Sequence, residues 1–168
     1  MPKIIENLPQ RLAEEARRQI EESGFSATTI RSVAKGCGVG VGTVYNYFPS
    51  KEALVATFML TDWKDCVASI EHCAADAQNL EPVLKTVYEQ LRLFLSKFAP
   101  IFRDESAVTG YTGALTKYHS VLRSQLSTPV RKFCRDDFTA EFIAEAMLSW
   151  TVAGKDYDEL KDVLLRIN

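Results

Sequence analysis

The chain has 168 residues, of which 46% are hydrophobic and 25% charged, and its formal net charge is −2 at pH 7. This length is enough for one or two globular domains that bury about 70% of the unfolded surface. The longest largely apolar run, Leu54 to Leu60, is too short to span a bilayer, and Met1 to Gln10 lack the apolar core of a signal peptide. We therefore expect a cytoplasmic protein.

The first predicted helix runs from Leu8 to Ser23. Asn7 is its predicted N-cap, Pro9 is tolerated in its first turn, and Gly24 ends it. Its inward stripe consists of small and aliphatic residues: Leu12, Ala13, Ala16 and Ile20.

Two short helices are predicted next, from Thr29 to Gly36 and from Val41 to Tyr47. Between them lies the run Gly36 to Gly40, in which three of five residues are glycine, so a sharp turn is possible. Either Thr28 or Thr29 can accept a backbone N–H bond as the N-cap of the first of these helices.

The second of these short helices has an outward face that contains no Lys or Glu. A helix turns about 100° per residue, so Val44 and Phe48 face inward with Val41 beside them. Small residues, a hydroxyl, an amide and two phenols suit docking into a polar groove. The outward and flanking residues are Gly42, Thr43, Tyr45, Asn46 and Tyr47.

The stretch from Phe25 to Lys51 is basic within an acidic chain. It contains Arg31, Lys35 and Lys51 and no acidic residue, so it carries +3, and the rest carries −5 because the total is −2. This asymmetry indicates nucleic acid. Lys51 lies in the first turn of a helix that Ser50 can cap, where a cation is disfavoured unless an anion comes there. A DNA phosphate is a natural candidate for that anion.

These residues resemble the N-terminal part of the tetracycline-repressor (TetR) family of bacterial transcription regulators. The resemblance covers roughly Leu12 to Leu54, and it is specific as a combined pattern. Two residues depart from it, because Gly40 stands where the family usually has a capping Ser or Thr, and Cys37 where it usually has Ala. The matching residues are Ala16, Ile20, Gly24-Phe25, Thr29-Ile30, Val33-Ala34, Gly38-Val39, Gly42-Thr43-Val44-Tyr45, Tyr47-Phe48 and Ser50-Lys51-Glu52-Ala53-Leu54.

The resemblance implies an all-α protein with two domains. Residues 1–50 would form a three-helix helix-turn-helix DNA-binding domain, and residues 51–168 a helical ligand-binding and dimerisation domain. The recognition helix, Val41 to Tyr47, would enter the major groove of a palindromic operator. The predicted DNA-binding residues are Thr29, Val41, Gly42, Thr43, Tyr45, Asn46, Tyr47 and Lys51.

Charged residues of the first helix are expected to stay off the DNA. Its acids, such as Glu15 and Glu22, should point away from it. Arg17 and Arg18 can either reach phosphates or be solvated, and we favour solvation, which is the usual state of surface charges.

Apolar residues at helical spacing predict the helices of the second domain. A long helix should run from Lys51 to about Ala77, and the next from Pro82 to about Pro100. A further helix is predicted from Ala114 to Gln125, followed by a loop or a short helix up to Asp136.

The last two predicted helices are Phe138 to Val152, capped by Asp137, and Tyr157 to Ile167. The resemblance implies that they pair with those of a second copy in a four-helix bundle, so the protein would be a homodimer. Their apolar stripes would equally suit the core of a monomer. The predicted dimer-interface residues are Phe138, Phe142, Ile143, Ala146, Met147, Trp150, Leu160, Val163, Leu164 and Ile167.

The resemblance also implies a pocket for a small-molecule effector in the second domain. Aromatic side chains are its candidate lining, so an apolar or aromatic effector is expected, although core packing is the commoner role for any one of them. The candidates are Phe58, Trp63, Tyr88, Phe94, Phe98, Phe102, Tyr111, Tyr118 and Trp150.

The leading functional hypothesis is a ligand-responsive repressor that a small-molecule effector releases from its operator. One alternative is an accessory DNA-binding protein without an effector. Another is a cysteine-based redox or metal sensor, since Cys66 and Cys73 share a helix face. Seven residues of helix separate two positions by roughly 10 Å, however, which is too far for an unstrained disulfide.

An enzyme is not expected. The chain has no phosphate loop or nucleophile motif, and its two histidines, His72 and His119, are isolated from other residues with metal-ligand spacing. We therefore predict no catalytic residue, no metal site and no cofactor.

Overall fold

The structure is a computed structural model that describes residues 6–104 and 119–168. These residues form helices joined by turns, with no strand among them. The all-α fold class predicted from the sequence is confirmed. Within the same residues, no helix has the length and apolar character needed to cross a membrane.

The first three helices are α1 (Leu8–Ser23), α2 (Ile30–Cys37) and α3 (Val41–Tyr45). α1 has the predicted bounds, but Asn7 adopts a left-handed conformation with φ 55° and makes no side-chain cap bond. Thr29 is the N-cap of α2. α3 ends at Tyr45, whereas Tyr47 was predicted.

The next two helices are α4 (Lys51–Asp76) and α5 (Leu80–Phe102). The predicted start of α5 at Pro82 is wrong, because Pro82 lies in the first turn, where its missing N–H costs nothing. The predicted end near Pro100 is also wrong. The helical bonding continues past that proline, since the N–H of Arg103 donates to the carbonyl of Ala99 at 3.0 Å.

The C-terminal part contains α6, whose described residues are 119–130, a 3₁₀ turn Arg131–Phe133, α7 (Asp137–Val152) and α8 (Tyr157–Ile167). α6 extends beyond the predicted end at Gln125, and its predicted start at Ala114 lies outside the described residues. The N-cap of α7 is Asp136, not Asp137: the Asp136 carboxylate accepts the Thr139 N–H at 2.7 Å. α8 has the predicted bounds.

The chain forms two compact units, and it passes between them within α4, at Thr61/Asp62, and within α5, at Lys97/Phe98. In the first unit, α1 packs on α2 and α2 on α3, around buried residues such as Leu12, Phe25, Val33, Val44 and Leu54. In the second unit the core includes Ile70, Leu84, Leu126, Ile143 and Leu164. A functional boundary at residues 50 and 51 stays a prediction.

Candidate nucleic-acid interface

A depression with a volume of about 540 Å³ lies in the first unit, where the starts of α2 and α4 come close to α3. Arg31 and Lys51 supply positive charge to it, and none of its lining residues is acidic. Such a depression suits an anion. The lining residues are Thr28, Thr29, Ile30, Arg31, Val41, Tyr45, Pro49, Ser50 and Lys51.

Half of the predicted DNA-binding residues line this depression, and the others lie elsewhere on the same unit. Thr29, Val41, Tyr45 and Lys51 line it, which brings together residues from three helix regions. The remaining predicted residues are exposed, apart from half-buried Thr43; they are Gly42, Thr43, Asn46 and Tyr47.

The inward face of α3 is as expected from helical spacing. Val44 is fully buried and Phe48 nearly so, which fixes the rotation of α3 about its axis. Val41, expected beside them, is only half-buried. The exposed Gly42 and Asn46 therefore lie on the opposite side of α3 from the core.

The Lys51 ammonium already has an intramolecular partner. Its Nζ donates to the backbone oxygen of Phe25 at 2.8 Å and lies 3.8 Å from the centroid of the Phe25 ring. Burial lowers the pKa of Lys51, while the carboxylates of Glu52 and Asp104 act in the opposite direction. The unfavourable position at a helix start is thus partly offset within the protein. An ammonium has three N–H donors, so one bond to Phe25 leaves capacity for an anion.

The Phe25-Ser26 segment, which receives Lys51, is itself anchored by Asp104. One carboxylate oxygen of Asp104 accepts the Ser26 N–H at 3.0 Å and the Ser26 hydroxyl at 2.5 Å. Asp104 follows α5, so it joins this segment across 78 positions of sequence. No local sequence pattern predicts a contact between residues so far apart in the chain.

Thr29 is fixed at the edge of the depression by a reciprocal pair of hydrogen bonds. Its hydroxyl accepts the Ser32 N–H at 3.0 Å, and its own N–H donates to the Ser32 hydroxyl at 3.0 Å. This capping box satisfies two groups at the start of α2. Of the two predicted caps, Thr28 is buried and its hydroxyl donates to the Gly24 carbonyl.

The adjacent arginines Arg17 and Arg18 of α1 differ from each other. Arg17 is half-buried, with its guanidinium 4.9 Å from the Phe58 ring centroid, and it donates to the Phe58 carbonyl at 3.4 Å. The prediction that it is solvated is therefore wrong. Arg18 is exposed and forms ion pairs with Glu15 and Glu22 at 2.7 and 2.6 Å.

Aromatic residues predicted to line an effector pocket fall into separate groups. In the first unit, the rings of Phe58 and Phe98 stack 6.0 Å apart, and Phe102 meets Phe98 edge-on at 6.5 Å. In the second unit, Trp63 and Phe94 meet edge-on at 5.6 Å. These contacts are those of packed side chains.

The other candidates for the effector pocket lie at the edge of the second unit or outside the described residues. Tyr88 contacts Tyr157, with 5.5 Å between ring centroids, and Trp150 is half exposed. Tyr111 and Tyr118 belong to the part of the chain that the structure does not describe. An effector site made of these residues stays a prediction.

The predicted dimer-interface residues also divide into groups. Four are exposed, namely Phe138 at 76%, Phe142 at 49%, Trp150 at 50% and Val163 at 56%. The partly buried residues Ala146 and Ile167 pack at the margin of the core of the second unit. The others belong to that core; they are Ile143, Met147, Leu160 and Leu164.

The cysteines are free thiols in the structure. Burial raises the pKa of Cys37, Cys66 and Cys134, which disfavours the reactive thiolate. Cys73 accepts a hydrogen bond from the Thr86 hydroxyl at 3.2 Å. Over residues 6–104 and 119–168, no group of three or more His, Cys, Asp or Glu side chains is placed to bind a metal ion.

Three residues that form or support this interface were not among the predicted DNA-binding residues. Arg31 lines the depression, and its place two residues after Thr29 was a usable signal. Gln19 bonds to Ser32 beside Thr29, and Asp104 anchors Ser26. Their partners are distant in sequence, so no local pattern marks these two residues.

Residues 12–57 match the family model described as bacterial regulatory proteins, tetR family. The HTH-type transcriptional regulator UidR of Escherichia coli (strain K12) is 34% identical over 58 residues, which are 34% of this chain and 30% of UidR. The HTH-type transcriptional repressor KstR of Rhodococcus jostii (strain RHA1) is 26% identical over 88 residues, 52% of this chain and 37% of KstR. The matches thus cover well under half of either relative.

Solved structures are similar over nearly the whole chain. A transcriptional regulator from Streptomyces coelicolor A3(2) has a TM-score of 0.69 at 15% identity, covering 94% of this chain and 96% of that one. The TetR family repressor AlkX from Dietzia sp. strain DQ12-45-1b has a TM-score of 0.62 at 19% identity, covering 95% and 92%. At such identities the likeness concerns the fold. Residues 12–57 are thus similar to the N-terminal helix-turn-helix of the tetR family of bacterial regulatory proteins.

Proposed function

We propose that the protein is a dimeric repressor of transcription whose depression beside α3 binds a backbone phosphate of operator DNA. The observation that carries the proposal is that the depression is basic, free of acids and lined by Thr29, Tyr45 and Lys51, all within the matched helix-turn-helix. Phosphate contacts of this kind set the position and orientation of a protein on the duplex.

The chemistry of the lining fits a phosphate oxygen. Thr29 and Tyr45 each have a hydroxyl that can donate, and Tyr45 is about half exposed. Lys51 adds a positive charge, and Arg31 can donate two parallel N–H bonds. The four side chains come from the starts of α2 and α4 and from α3, so a single phosphate would align all three helices.

Sequence would be read by the exposed side of α3. Asn46 can bond to a base edge through its amide, and Thr43 and Tyr45 through their hydroxyls. The neighbouring Val41 and Gly42 have no polar side chain. Much of the affinity would therefore come from phosphates and DNA shape.

Two copies would bind a palindromic site. One short helix reads few bases, and a two-fold dimer doubles the contacts at half-sites one helical turn, or a multiple, apart. The exposed Phe138 and Phe142 on α7 and Val163 on α8 offer apolar surface for such pairing. Burying it between two copies would remove these side chains from water.

A small-molecule effector of apolar or aromatic character would release the DNA. Such a ligand must bind the DNA-free conformation more tightly than the DNA-bound one, because only that difference shifts the equilibrium. The second unit would contain its site. Within that unit, Trp63 packs edge-on against Phe94, and its indole N–H donates to the Gln125 amide oxygen at 2.8 Å, so apolar and polar groups lie side by side.

The test is selection of DNA from a random duplex pool by the purified protein, followed by fluorescence anisotropy titration of the selected duplex at several salt concentrations. Lys51→Met should weaken binding and reduce the slope of log K against log salt by about 0.9, the value for one lost phosphate contact. Tyr45→Phe should weaken binding by about fivefold, the loss of one hydrogen bond.

Lys85→Met is the matched control, because it removes an exposed lysine of the second unit. It should leave both affinity and salt slope close to those of the parent. Failure to enrich any duplex would refute DNA binding. Parental slopes and affinities for both Lys51→Met and Tyr45→Phe would refute the phosphate site in the depression.

A further inference from the structure

Gln19 on α1 connects that helix to the start of α2. Its amide nitrogen donates to the Glu15 carboxylate at 2.7 Å and to the Ser32 carbonyl at 3.1 Å. Its amide oxygen accepts the Ser32 hydroxyl at 2.5 Å. Gln19 is half-buried, and three bonds leave its side chain little freedom.

Glu15 determines which way the amide of Gln19 faces. An ionised carboxylate only accepts hydrogen bonds, so the NH₂ group must face Glu15, and the amide oxygen is left to accept the Ser32 hydroxyl. Arg18 donates to both carboxylate oxygens of Glu15, at 2.7 and 2.9 Å, which keeps this acceptor in place. The amide oxygen is therefore presented to the Ser32 hydroxyl.

The Ser32 hydroxyl has one hydrogen and two neighbouring acceptors. Gln19 Oε1 lies at 2.5 Å and the Thr29 carbonyl at 2.8 Å, so these compete for the hydrogen. Each leaves the lone pairs of Ser32 Oγ for the Thr29 N–H. Through its bond to this hydroxyl, Gln19 helps to hold Ser32 Oγ where it accepts the Thr29 N–H, and so supports the capping box.

The capping box in turn orients the hydroxyl of Thr29. Thr29 Oγ1 accepts the Ser32 N–H, so its own hydrogen cannot point at that donor. Thr29 lines the depression, and a hydroxyl that must donate elsewhere can do so to an anion there. A phosphate oxygen is an acceptor only and would take this hydrogen.

We propose that Gln19 is a positioning residue for DNA binding, which acts through Ser32 to direct the Thr29 hydroxyl at a backbone phosphate. The proposal rests on the proposed function, since it requires the phosphate in the depression. Gln19 itself touches no DNA in this scheme. Hydrogen bonds link Arg18, Glu15, Gln19, Ser32 and Thr29 in that order. Through them, α1 would contribute to DNA binding.

The experiment is a double-mutant cycle on the selected duplex. Gln19→Met keeps the length of the side chain and removes its amide, and Thr29→Val keeps the shape of threonine and removes its hydroxyl. We expect Gln19→Met to weaken binding about fivefold in the parent, the equivalent of one hydrogen bond, but less than about twofold in Thr29→Val. Gln10→Met, at an exposed glutamine of the same helix, should bind like the parent.

A second variant and a second kind of measurement test the same series of hydrogen bonds. Ser32→Ala removes the hydroxyl that lies between Gln19 and Thr29. It should therefore weaken DNA binding more in the parent than in Thr29→Val. Without DNA, Gln19→Met should speed amide hydrogen exchange of Ser32 about fivefold, as expected for a weakened capping bond.

The possible outcomes distinguish a failure of the positioning role of Gln19 from a failure of DNA binding itself. Parental affinity of Gln19→Met and Ser32→Ala, or an equal loss in the presence and absence of the Thr29 hydroxyl, would overturn the positioning role while leaving DNA binding intact. If Thr29→Val binds DNA as tightly as the parent, the proposed contact between Thr29 and a phosphate is refuted, and the role of Gln19 with it. A parent protein that enriches no duplex would refute the proposed function itself.

Discussion

At the scale of single residues, Glu15 behaves unlike an ordinary surface acid. Hydrogen bonds from Arg18 and Gln19 lower its pKa from 4.5 to about 2, and burial opposes this only in part. Its side chain is only 15% exposed, whereas the sequence predicted no more than that this acid points away from DNA. The residue is therefore a structural acceptor within α1 as well as a charge.

The low pKa of Glu15 makes the stability of the protein depend on pH. Because the folded pKa of about 2 is below the unfolded value of 4.5, the contribution of Glu15 is present above pH 4.5 and is lost as the pH falls towards 2. Glu15→Gln should flatten the curve of unfolding free energy against pH in that window. Urea unfolding at a series of pH values measures it.

Glu21→Gln serves as the control for this pH dependence, since Glu21 is an exposed acid on the same helix. It should keep the parental curve. If Glu15→Gln and the parent lose the same free energy of unfolding between pH 4.5 and 2, the bonds of Glu15 do not contribute as described.

At the scale of elements, the packing of α1 on α2 depends on a residue without a side chain. A Cβ atom at Gly36 would lie 2.1 Å from Glu15 Oε1 and 2.6 Å from its Cδ, so Glu15 would have to move. Arg18 and Gln19 bond to that carboxylate and would lose their acceptor. The glycine in the last turn of α2 therefore permits the network that reaches Thr29.

A pair of glycine substitutions tests this packing. Gly42→Ala in α3 meets no atom within 4 Å and should raise the free energy of unfolding by up to about 1 kcal/mol, from helix propensity. Gly36→Ala should raise the free energy of unfolding by about 1–2 kcal/mol less than Gly42→Ala does, because displacing Glu15 breaks hydrogen bonds. Urea unfolding at neutral pH gives both values. Equal gains would mean that Glu15 moves aside without cost.

Two prolines lie near the wrongly predicted ends of α5 and α6. The sequence predicts that α5 ends near Pro100 and α6 at Gln125, yet Pro100 and Pro129 each lie within the last turn of their helix. A proline there removes one i→i−4 hydrogen bond and crowds the carbonyl four residues earlier, a cost that other contacts must offset if the helix is to continue. Pro129 is buried, which is consistent with stabilisation by tertiary contacts.

At the scale of the whole molecule, the proposed dimer can be tested through α7. Phe142 is 49% exposed, so Phe142→Arg should leave the free energy of unfolding of one subunit almost unchanged. In the dimer it would bury an unpaired charge, which costs several kcal/mol. Sedimentation velocity at micromolar concentration should change from dimer to monomer, and operator affinity should fall with it.

Leu93→Arg is the matched control for the dimer, because Leu93 is a similarly exposed apolar residue, at 58%, outside the predicted interface. It should sediment as the parent does. A parent that is already a monomer at micromolar concentration, or a Phe142→Arg variant that remains a dimer, would contradict pairing through this face of α7.

The sequence by itself determined the all-α class, most helix starts and the helix-turn-helix, because helical periodicity, caps and glycine turns act between residues close in the chain. It also marked the basic stretch that contains Lys51. Only the tertiary structure decided the partners of that charge. The contacts of Lys51 with Phe25, of Gln19 with Ser32 and of Asp104 with Ser26 join residues 26, 13 and 78 positions apart. Such contacts depend on how helices pack, which is a sum of many small terms that no local pattern records.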